Sequence, residues 1–328
     1  MSKVLILGGA GMIGQKLAHR IAAGLIDIEV TELVLYDIVE AAKPDATFPV
    51  NTSSGNIAEI KESERLAAMR PDIVFHLAAI VSSDAEKNFD KGWAINARGS
   101  WQLLEALRSE HEKSEGHYQP KVIFASSIAV FGGPYPDKID DDFLCAPQTS
   151  YGAQKAMTEL LIADYSRKGY IDGFSMRLPT ICVRPGKPNL AASSFFSGII
   201  REPLNGQQAI LPVPDNTRHW HASPRSAAAF FTHAAALDTS ALKGRYSLNL
   251  PGVSCTVAEQ IEALREIAGN EVVKLIKTEP DEAINKIVAG WPSDFDPQRA
   301  IGLGFKGEKD FSEIIRIYTE DDLHVIAH

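Results

Sequence analysis

Short apolar runs alternate with helical patterns along the first half of the chain, and this alternation narrows the choice of folds more than composition does. Val4–Leu7, Leu33–Tyr36, Ile73–Leu77 and Val122–Phe124 are such runs, and Gly11–Ala23 repeats its apolar residues at four-residue spacing. Strands that are apolar throughout are buried on both faces, as in a parallel sheet covered by helices. The 328 residues therefore predict an α/β fold built on a doubly wound parallel sheet.

A glycine-rich segment separates the first predicted strand from the first predicted helix. There Gly8 permits a tight turn, Gly11 lets a pyrophosphate approach the backbone, and Gly14 lets helix and strand pack closely. The helix N-terminus supplies amides and partial positive charge to the phosphates. Asp37 ends the second strand, where a carboxylate accepts hydrogen bonds from ribose hydroxyls and repels a 2′-phosphate. The pattern predicts an NAD site; the alternatives are a plain turn and a solvated acid.

Tyr151 and Lys155 lie four residues apart, on one face of a predicted helix. A phenol has a pKa of about 10, and a nearby ammonium lowers that pKa by favouring the phenolate. Ser126 and Ser127 follow a predicted strand at its carboxyl end, where sites in open α/β sheets lie. A hydroxyl there can hold a substrate oxygen beside the tyrosine. The pattern indicates an acid–base site, although a Tyr/Lys pair alone is more typical of a surface contact.

Six motifs in chain order resemble those of the extended short-chain dehydrogenase/reductases, the NAD-dependent epimerase/dehydratase group: GGAGMIG (8–14), Asp37, HLAA (76–79), Asn96, FASSIAVFG (124–132) and YGAQK (151–155). The resemblance implies a Rossmann fold, NAD as cofactor, and a catalytic set of Ser127, Tyr151 and Lys155. It implies cofactor contacts at Gly8, Gly11, Met12, Ile13, Gly14, Asp37, Asn56, Ile57, Ala78, Ala79, Asn96, Tyr151, Lys155 and Pro179. Asn96 resembles the family's structural asparagine, and Asn56 stands where the family usually has Asp.

The composition of the chain changes after about residue 178, where prolines become frequent. Helical patterns at Val257–Ala268 and Phe311–Tyr318 recur without a strand partner for each, whereas Arg245–Leu250 is strand-like and suits a return to the main sheet. We therefore predict two interleaved domains. The first is an NAD-binding domain of residues 1–177 and about 219–252, and the second is a smaller, less regular substrate domain of about 178–218 and 253–328.

The second half of the chain indicates a small acidic substrate. Nucleotide-sugar members of the family commonly read R-x-x-N after the catalytic lysine, whereas here Thr180 follows Arg177 at that spacing, which argues against a sugar nucleotide. Cationic and hydroxyl side chains in 181–207 and 218–226 suit a small hydroxylated carboxylate, although such arginines are equally typical of salt bridges between domains. The candidate substrate contacts are Ser127, Tyr151, Thr180, Arg184, Asn189, Ser193 and Arg218, with Arg184 and Arg218 for the carboxylate.

The stretch RLPTICVRPGKPN (177–189) with AASSFFSGIIREPL (191–204) resembles the branch of the family that oxidises the C2 hydroxyl of D-erythronate to 2-dehydro-D-erythronate with NAD. In that reaction Ser127 bonds the C2 oxygen and Tyr151 takes the hydroxyl proton. Three alternatives remain open. They are a nucleotide-sugar 4-epimerase, a dehydrogenase of another polyol or aldonate, and a non-catalytic NAD-sensing protein, although such sensors typically lose the Tyr or the Lys.

Charge and cysteine content argue against several other classes. Lys and Arg number 33 against 42 Asp and Glu, a net charge of −9, which argues against nucleic-acid or anionic-membrane partners. Cys145, Cys182 and Cys255 form no CxxC pair, so we expect neither a zinc site nor a disulfide framework. Because unpaired cysteines are typical of a reducing compartment, we expect a cytoplasmic location. The start MSKVLILGG lacks a signal-peptide h-region, and no stretch approaches the roughly 18 apolar residues of a membrane span.

Two further expectations concern metals and assembly. No metal is expected, because His76, His219 and His221 show no ligand spacing and are more typical of packed or solvent-facing histidines. The resemblance implies a homodimer, because the family often pairs two long helices from each subunit. The helix that carries Tyr151 and continues through Leu161 would supply one of them, although its apolar face is equally suited to pack on the sheet.

Overall fold

The computed structural model describes residues 1–186 and 192–323, which form two compact units. The first unit comprises residues 1–130, 147–177 and 228–249, and the second comprises 131–146, 178–186, 192–227 and 250–323.

The strands, in chain order, are β1 Ser2–Leu7, β2 Val30–Asp37, β3 Val50–Ser54, β4 Ile73–His76, β5 Lys121–Ser127, β6 Asp172–Leu178, β7 Thr180–Ile181, β8 Ala209–Leu211, β9 Arg218–Ala222, β10 Ser247–Asn249, β11 Val253–Thr256 and β12 Ile276–Thr278. The helices are α1 Met12–Ala22, α2 Ile60–Ala68, α3 Ser82–Lys87, α4 Phe89–Gly92, α5 Ser100–Lys113, α6 Ser150–Arg167, α7 Ser194–Leu204, α8 Pro224–Ala236, α9 Val257–Ala268, α10 Asn270–Val273, α11 Glu282–Ala289, α12 Gln298–Gly302 and α13 Phe311–Asp321. A π-helical segment, Trp93–Gly99, joins α4 to α5, and 3₁₀ turns occupy Ile128–Val130 and Thr239–Leu242.

The first unit is built on a seven-stranded sheet in the order β10-β6-β5-β4-β1-β2-β3. Strand β1 pairs in parallel with both β2 and β4, and β4 pairs in parallel with β5. This arrangement confirms the predicted α/β class, the four predicted strands and the first helix. The strand-like segment near residue 247 also returns to the sheet as predicted, because β10 pairs in parallel with β6. Strand β3 was not predicted, because its sequence VNTSS is polar and it is an edge strand paired with β2.

The second unit contains two small sheets. One has the order β11-β9-β7, and the other pairs β12 with β8. The predicted helices of this half are both present, as α9 with the predicted bounds and as α13. A capping box begins α9, since Thr256 accepts from the amide of Glu259 while the Glu259 carboxylate accepts from the amide of Thr256. Apolar residues of α7, α9 and α13 form the core of this unit.

The grouping into units differs from the predicted domain ranges at two segments. Residues 131–146 belong to the second unit, where Ile139 forms a parallel bridge with Phe295 and the Phe131 ring lies 5.8 Å from the Phe295 ring. Residues 219–227 also belong there, because β9 lies between β11 and β7. Both groupings depend on partners distant in sequence. Within the described residues, no helix is long and apolar enough to cross a membrane.

Candidate active site

The glycine-rich turn between β1 and α1 leaves no room for side chains at two positions. Gly8 has a φ of +88°, and a Cβ there would lie 2.8 Å from the amide nitrogen of Ala78. A Cβ at Gly14 would lie 2.1 Å from the carbonyl oxygen of Gly8. The amides of Gly8 and Gly9 both donate to the carbonyl of Tyr36, at 2.8 and 3.0 Å, which fixes the turn against β2. The backbone is therefore bare where a ligand would approach it.

The N-terminus of α1 is suited to an anion. Its N-cap, Gly11, has no side chain to accept from the first-turn amides of Met12, Ile13 and Gly14, and the first turn holds no acidic residue. At the end of β2, Asp37 accepts from the amide of Ala10 at 2.9 Å and from its neighbour Ile38 at 2.7 Å. Because a carboxylate offers about four acceptor sites, Asp37 retains capacity for ribose hydroxyls. The turn, the amides and the carboxylate together fit a dinucleotide such as NAD.

Other predicted cofactor residues follow the carboxyl ends of neighbouring strands. Asn56 and Ile57 come just after β3, and Ala78 and Ala79 come just after β4. The side-chain oxygen of Asn56 accepts from the amide of Ala58 at 3.1 Å, so it stabilises its own turn. Because carboxyl ends of parallel strands share one edge of a sheet, the fold brings these residues to the edge that carries the glycine turn.

Asn96 lies in the π-helical segment and is 2% exposed. Its Oδ1 accepts from the amide of Ile80 at 2.9 Å, while its Nδ2 donates to Gln154 Oε1 at 2.8 Å. These bonds tie the segment after β4 to α6. They agree with the structural role that the resemblance implied for Asn96, while a direct contact with the cofactor stays a prediction.

Helix α6 positions the predicted base. Thr149 caps the helix by accepting from the amide of Gly152 at 3.0 Å. The Nζ of Lys155 lies 5.5 Å from the Tyr151 ring centroid and donates to the carbonyl of Ala125 at 2.7 Å. It also lies 4.5 Å from the centroid of the Phe124 ring. The structure therefore brings the predicted Tyr–Lys pair together against the end of β5.

Two opposing effects determine the charge of Lys155, whose side chain is buried. Burial lowers the pKa of Lys155 to about 7, and the negative charge of Glu159 opposes that shift. His76 on β4 is also buried, with Nε2 at 2.8 Å from Ser100 Oγ. Burial, with a smaller effect from the charge of Lys155, lowers the pKa of His76 to about 3, so its ring is neutral near pH 7.

The two serines at the end of β5 have different partners. Ser126 is buried, and its hydroxyl donates to Glu159 Oε1 at 2.5 Å. Ser127 is half-buried, and its Oγ accepts from the amide of Ala129 at 3.2 Å, which leaves its own proton to donate. Of the two hydroxyls, Ser127 is therefore the one suited to a substrate oxygen.

Glu159 and its partner Arg177 were missed by the sequence reasoning as parts of this site. They form a buried ion pair, with Arg177 Nη2 at 2.7 Å from Glu159 Oε2. The four-residue spacing that joins Tyr151 to Lys155 also joins Lys155 to Glu159, and would have found it.

Two predicted substrate residues of the second unit have partners within that unit. Thr180 Oγ1 lies 2.6 Å from His219 Nε2. The backbone amide of Arg184 donates to Ser197 Oγ at 3.0 Å, and its Nε donates to the carbonyl of Ile181 at 2.9 Å.

The remaining predicted residues of this half are more dispersed. Arg218 Nη2 lies 3.3 Å from a carboxylate oxygen of Glu259, on a partly exposed surface. Ser193 is the N-cap residue of α7, and Pro179 lies between β6 and β7. Asn189 lies outside the described residues.

His219 and His221 are packed in the interior of the second unit. The His219 ring stacks on Phe196 at 5.1 Å, and His221 Nε2 lies 2.9 Å from Gln260 Nε2. Burial lowers the pKa of His219 to about 4. Burial also lowers the pKa of His221 well below its usual value, with a smaller effect from His219. Both rings are therefore neutral at pH 7.

The amino-acid sequence of this chain is similar to those of known proteins. Residues 4–241 match the profile of the NAD dependent epimerase/dehydratase family. The chain is 43% identical to a D-erythronate dehydrogenase of Haemophilus influenzae over 321 residues, which cover 98% of this chain and all of the relative. It is 44% identical to a D-erythronate dehydrogenase of Cupriavidus necator over 324 residues, which cover 97% of this chain and 98% of the relative.

One solved structure is similar along nearly the whole chain. It is described as a nucleoside-diphosphate-sugar epimerase from Agrobacterium tumefaciens, with 49% sequence identity and a TM-score of 0.95. The match covers 98% of this chain and 95% of that one.

Proposed function

This chain belongs to the NAD dependent epimerase/dehydratase family, and we propose that it oxidises the C2 hydroxyl of D-erythronate to 2-dehydro-D-erythronate with NAD. The observation that carries the proposal is the 43–44% identity, over almost the full length, to two relatives that are named D-erythronate dehydrogenases. The positions of Tyr151 and Lys155 on α6 support it, because oxidation of an alcohol requires a base beside the hydroxyl.

The glycine turn and the strand ends of the first unit would hold the cofactor. Backbone amides at the start of α1 would bind the pyrophosphate, and Asp37 would bind ribose hydroxyls. NAD, when bound, accepts the hydride that leaves C2. The proposed cofactor contacts are those of the sequence prediction: Gly8, Gly11, Met12, Ile13, Gly14, Asp37, Asn56, Ile57, Ala78, Ala79, Asn96, Tyr151, Lys155 and Pro179.

Three side chains would carry out the proton chemistry. Ser127 donates a hydrogen bond to the C2 oxygen and orients it toward Tyr151. The Tyr151 phenolate takes the hydroxyl proton, so the electrons of the broken O–H bond form the new carbonyl as the C2 hydrogen leaves with its electron pair. Lys155 in its charged form stabilises the phenolate.

Arg184 and Arg218 remain the two proposed contacts to the substrate carboxylate. Of the two candidate arginines, Arg184 is the stronger, because its side chain is half-buried, whereas Arg218 is exposed and lies 3.3 Å from Glu259. A guanidinium pairs well with a carboxylate because its planar donors form two parallel hydrogen bonds. Thr180, Asn189 and Ser193 remain proposed contacts to the substrate hydroxyls.

The test is a panel of four- to six-carbon sugar acids, including D-erythronate, L-erythronate and D-threonate, assayed for NADH formation by absorbance. We expect D-erythronate to give the highest kcat/KM. A higher kcat/KM with another aldonate would reject the substrate assignment and keep the reaction class.

A second candidate is epimerisation of a nucleotide sugar, which the 49% identity to a solved structure described as such an epimerase favours. Against it, the family position that commonly carries Asn is Thr180 here, and its hydroxyl is engaged with His219. UDP-glucose incubated with enzyme and NAD separates the two, since an epimerase forms a new sugar nucleotide without net NADH.

Assembly and location extend the proposal. Leu160 on α6 and Trp101 on α5 are 73% and 48% exposed, which supports a homodimer that pairs these helices between subunits. Light scattering that gives a monomer mass at working concentration would reject it. Cys145, Cys182 and Cys255 form no disulfide bond, which supports a cytoplasmic location.

A further inference from the structure

Glu159 is a buried carboxylate on α6 for which the proposed reaction has no direct use. Its side chain is 4% exposed. It lies four residues beyond Lys155 and eight beyond Tyr151, so the three side chains share one face of the helix. Burying a carboxylate is unfavourable unless it is paired and hydrogen-bonded, so its partners explain its presence.

Three neighbouring strands supply groups to this carboxylate or to its partner. From β6, Arg177 donates to Glu159 through Nε at 3.0 Å and through Nη2 at 2.7 Å, while its Nη1 donates to Asn249 Oδ1 on β10 at 3.2 Å. From β5, the Ser126 hydroxyl donates at 2.5 Å. A two-pronged guanidinium–carboxylate pair fixes direction as well as distance.

Two hydrogen bonds of opposite direction join α6 to the end of β5. Lys155 donates to the carbonyl of Ala125, and Ser126 donates to Glu159. Ser127 follows immediately in the chain. The hydrogen bonds that Lys155 and Glu159 make to the end of β5 therefore fix the position of Ser127 relative to Tyr151.

The same carboxylate also affects the charge of Lys155. Among the described residues, the titratable groups that face Lys155 are Tyr151 and Glu159 on its own helix and His76 on β4, whose buried ring is neutral. Arg177 on β6 faces Glu159. Burial disfavours the ammonium, and Glu159 opposes that effect.

We propose that Glu159 is a positioning residue of the dehydrogenase site, which holds α6, and with it Lys155, against the end of β5. Its negative charge favours the ammonium form of Lys155. The role of Glu159 in catalysis rests on the proposed function, whereas its effect on the charge of Lys155 can be measured without any substrate.

The test measures the Lys155 titration by carbon-13 NMR of labelled lysine in the full chain without substrate, with the signal assigned by Lys155→Met. In Glu159→Gln we expect the Lys155 pKa to fall by about one unit or more, because a nearby negative charge is removed and Arg177 is left unopposed. Glu159→Asp retains the charge and should restore most of that shift. Arg177→Gln should move the Lys155 pKa upward, and it carries the test if Glu159→Gln does not fold.

Glu110→Gln is the matched control, because Glu110 is another buried carboxylate of this unit and is paired with Arg70 and Lys113 on and near α5. It should leave the Lys155 pKa unchanged. Equal Lys155 titrations in wild type, Glu159→Gln and Arg177→Gln would overturn the inference. A wild type that does not oxidise D-erythronate would instead reject the proposed function and leave the NMR comparison valid.

Discussion

Titratable side chains are buried around α6 of the first unit and around β9 of the second, but these two regions differ in charge. Around α6 of the first unit, Lys155, Glu159 and Arg177 are ionisable groups that compensate one another. Around β9 of the second unit, His219 and His221 are held neutral among aromatic rings. Buried ions are expensive unless paired, and around α6 the carboxylate of Glu159 is paired with Arg177 and opposes the effect of burial on Lys155. The neutral cluster of the second unit is built for packing and shape.

The largest expected effect concerns the charged cluster. Tyr151→Phe should lower kcat with D-erythronate by roughly 10²- to 10⁴-fold, the range that general-base catalysis contributes, while NAD affinity stays within about twofold, because the ring and its contacts remain. Stopped-flow turnover and calorimetric NAD binding measure the two quantities. Tyr165→Phe is the control on the same helix, since that hydroxyl bonds Glu105 instead. Retained turnover in Tyr151→Phe would remove Tyr151 as the base.

The next largest effect tests the rigidity of the cofactor turn. Gly14→Ala places a methyl group 2.1 Å from the Gly8 carbonyl oxygen, and the forced backbone shift should weaken NAD binding about 10- to 100-fold. Gly302→Ala in the second unit is the control, because nothing lies within 4 Å of the added methyl. Calorimetry should show unchanged NAD affinity for that variant. Equal affinities in both variants would mean that the turn adapts.

A smaller effect separates the two arginines of the second unit. Arg184→Gln should raise the KM for D-erythronate about tenfold with little change in kcat, which is the loss of one charge-assisted contact. Arg218→Gln should change KM by less than about threefold, because a partly exposed pair with Glu259 contributes little. Steady-state kinetics with both variants decide between the two arginines. A larger increase in KM for Arg218→Gln than for Arg184→Gln would assign the substrate carboxylate to Arg218 instead.

The first unit could be predicted from sequence because its information is local. Apolar runs gave β1, β2, β4 and β5, and helical spacing placed Tyr151 beside Lys155. Strands β3 and β6 were missed, because polar residues replace the apolar run in VNTSS and interrupt it in DGFSMRL.

The second unit was less predictable, because its partners are distant in the chain. Thr180 meets His219 across 39 residues, and Ile139 meets Phe295 across the unit. No periodicity encodes such pairs, so neither the neutral histidine cluster nor the grouping of 131–146 could be derived. The ion pair of Glu159 with Arg177 was also not predictable as a pair. Glu159 lies at helical spacing from Lys155, but Arg177 lies on a separate strand, β6.

The smallest expected effect tests the neutral cluster directly, through the pH dependence of stability. The pKa of His219 is about 6.5 in the unfolded chain and about 4 in the folded one, so the unfolded state binds more protons between these values. The contribution of neutral His219 is therefore complete above pH 6.5. It falls by up to about 1.4 kcal/mol per unit as the pH drops toward 4.

Urea unfolding between pH 6.5 and 4.5 measures this slope. His219→Gln should flatten it by that amount, whatever the variant loses in packing, because the slope depends only on proton uptake. The exposed His117, replaced by Gln, is the control and should leave the slope as in wild type. The carboxylates contribute equally to all three proteins, so the differences isolate the histidine. An unchanged slope in His219→Gln would show that the second unit does not hold this ring neutral, and the contrast with the charged cluster around Lys155 would fail.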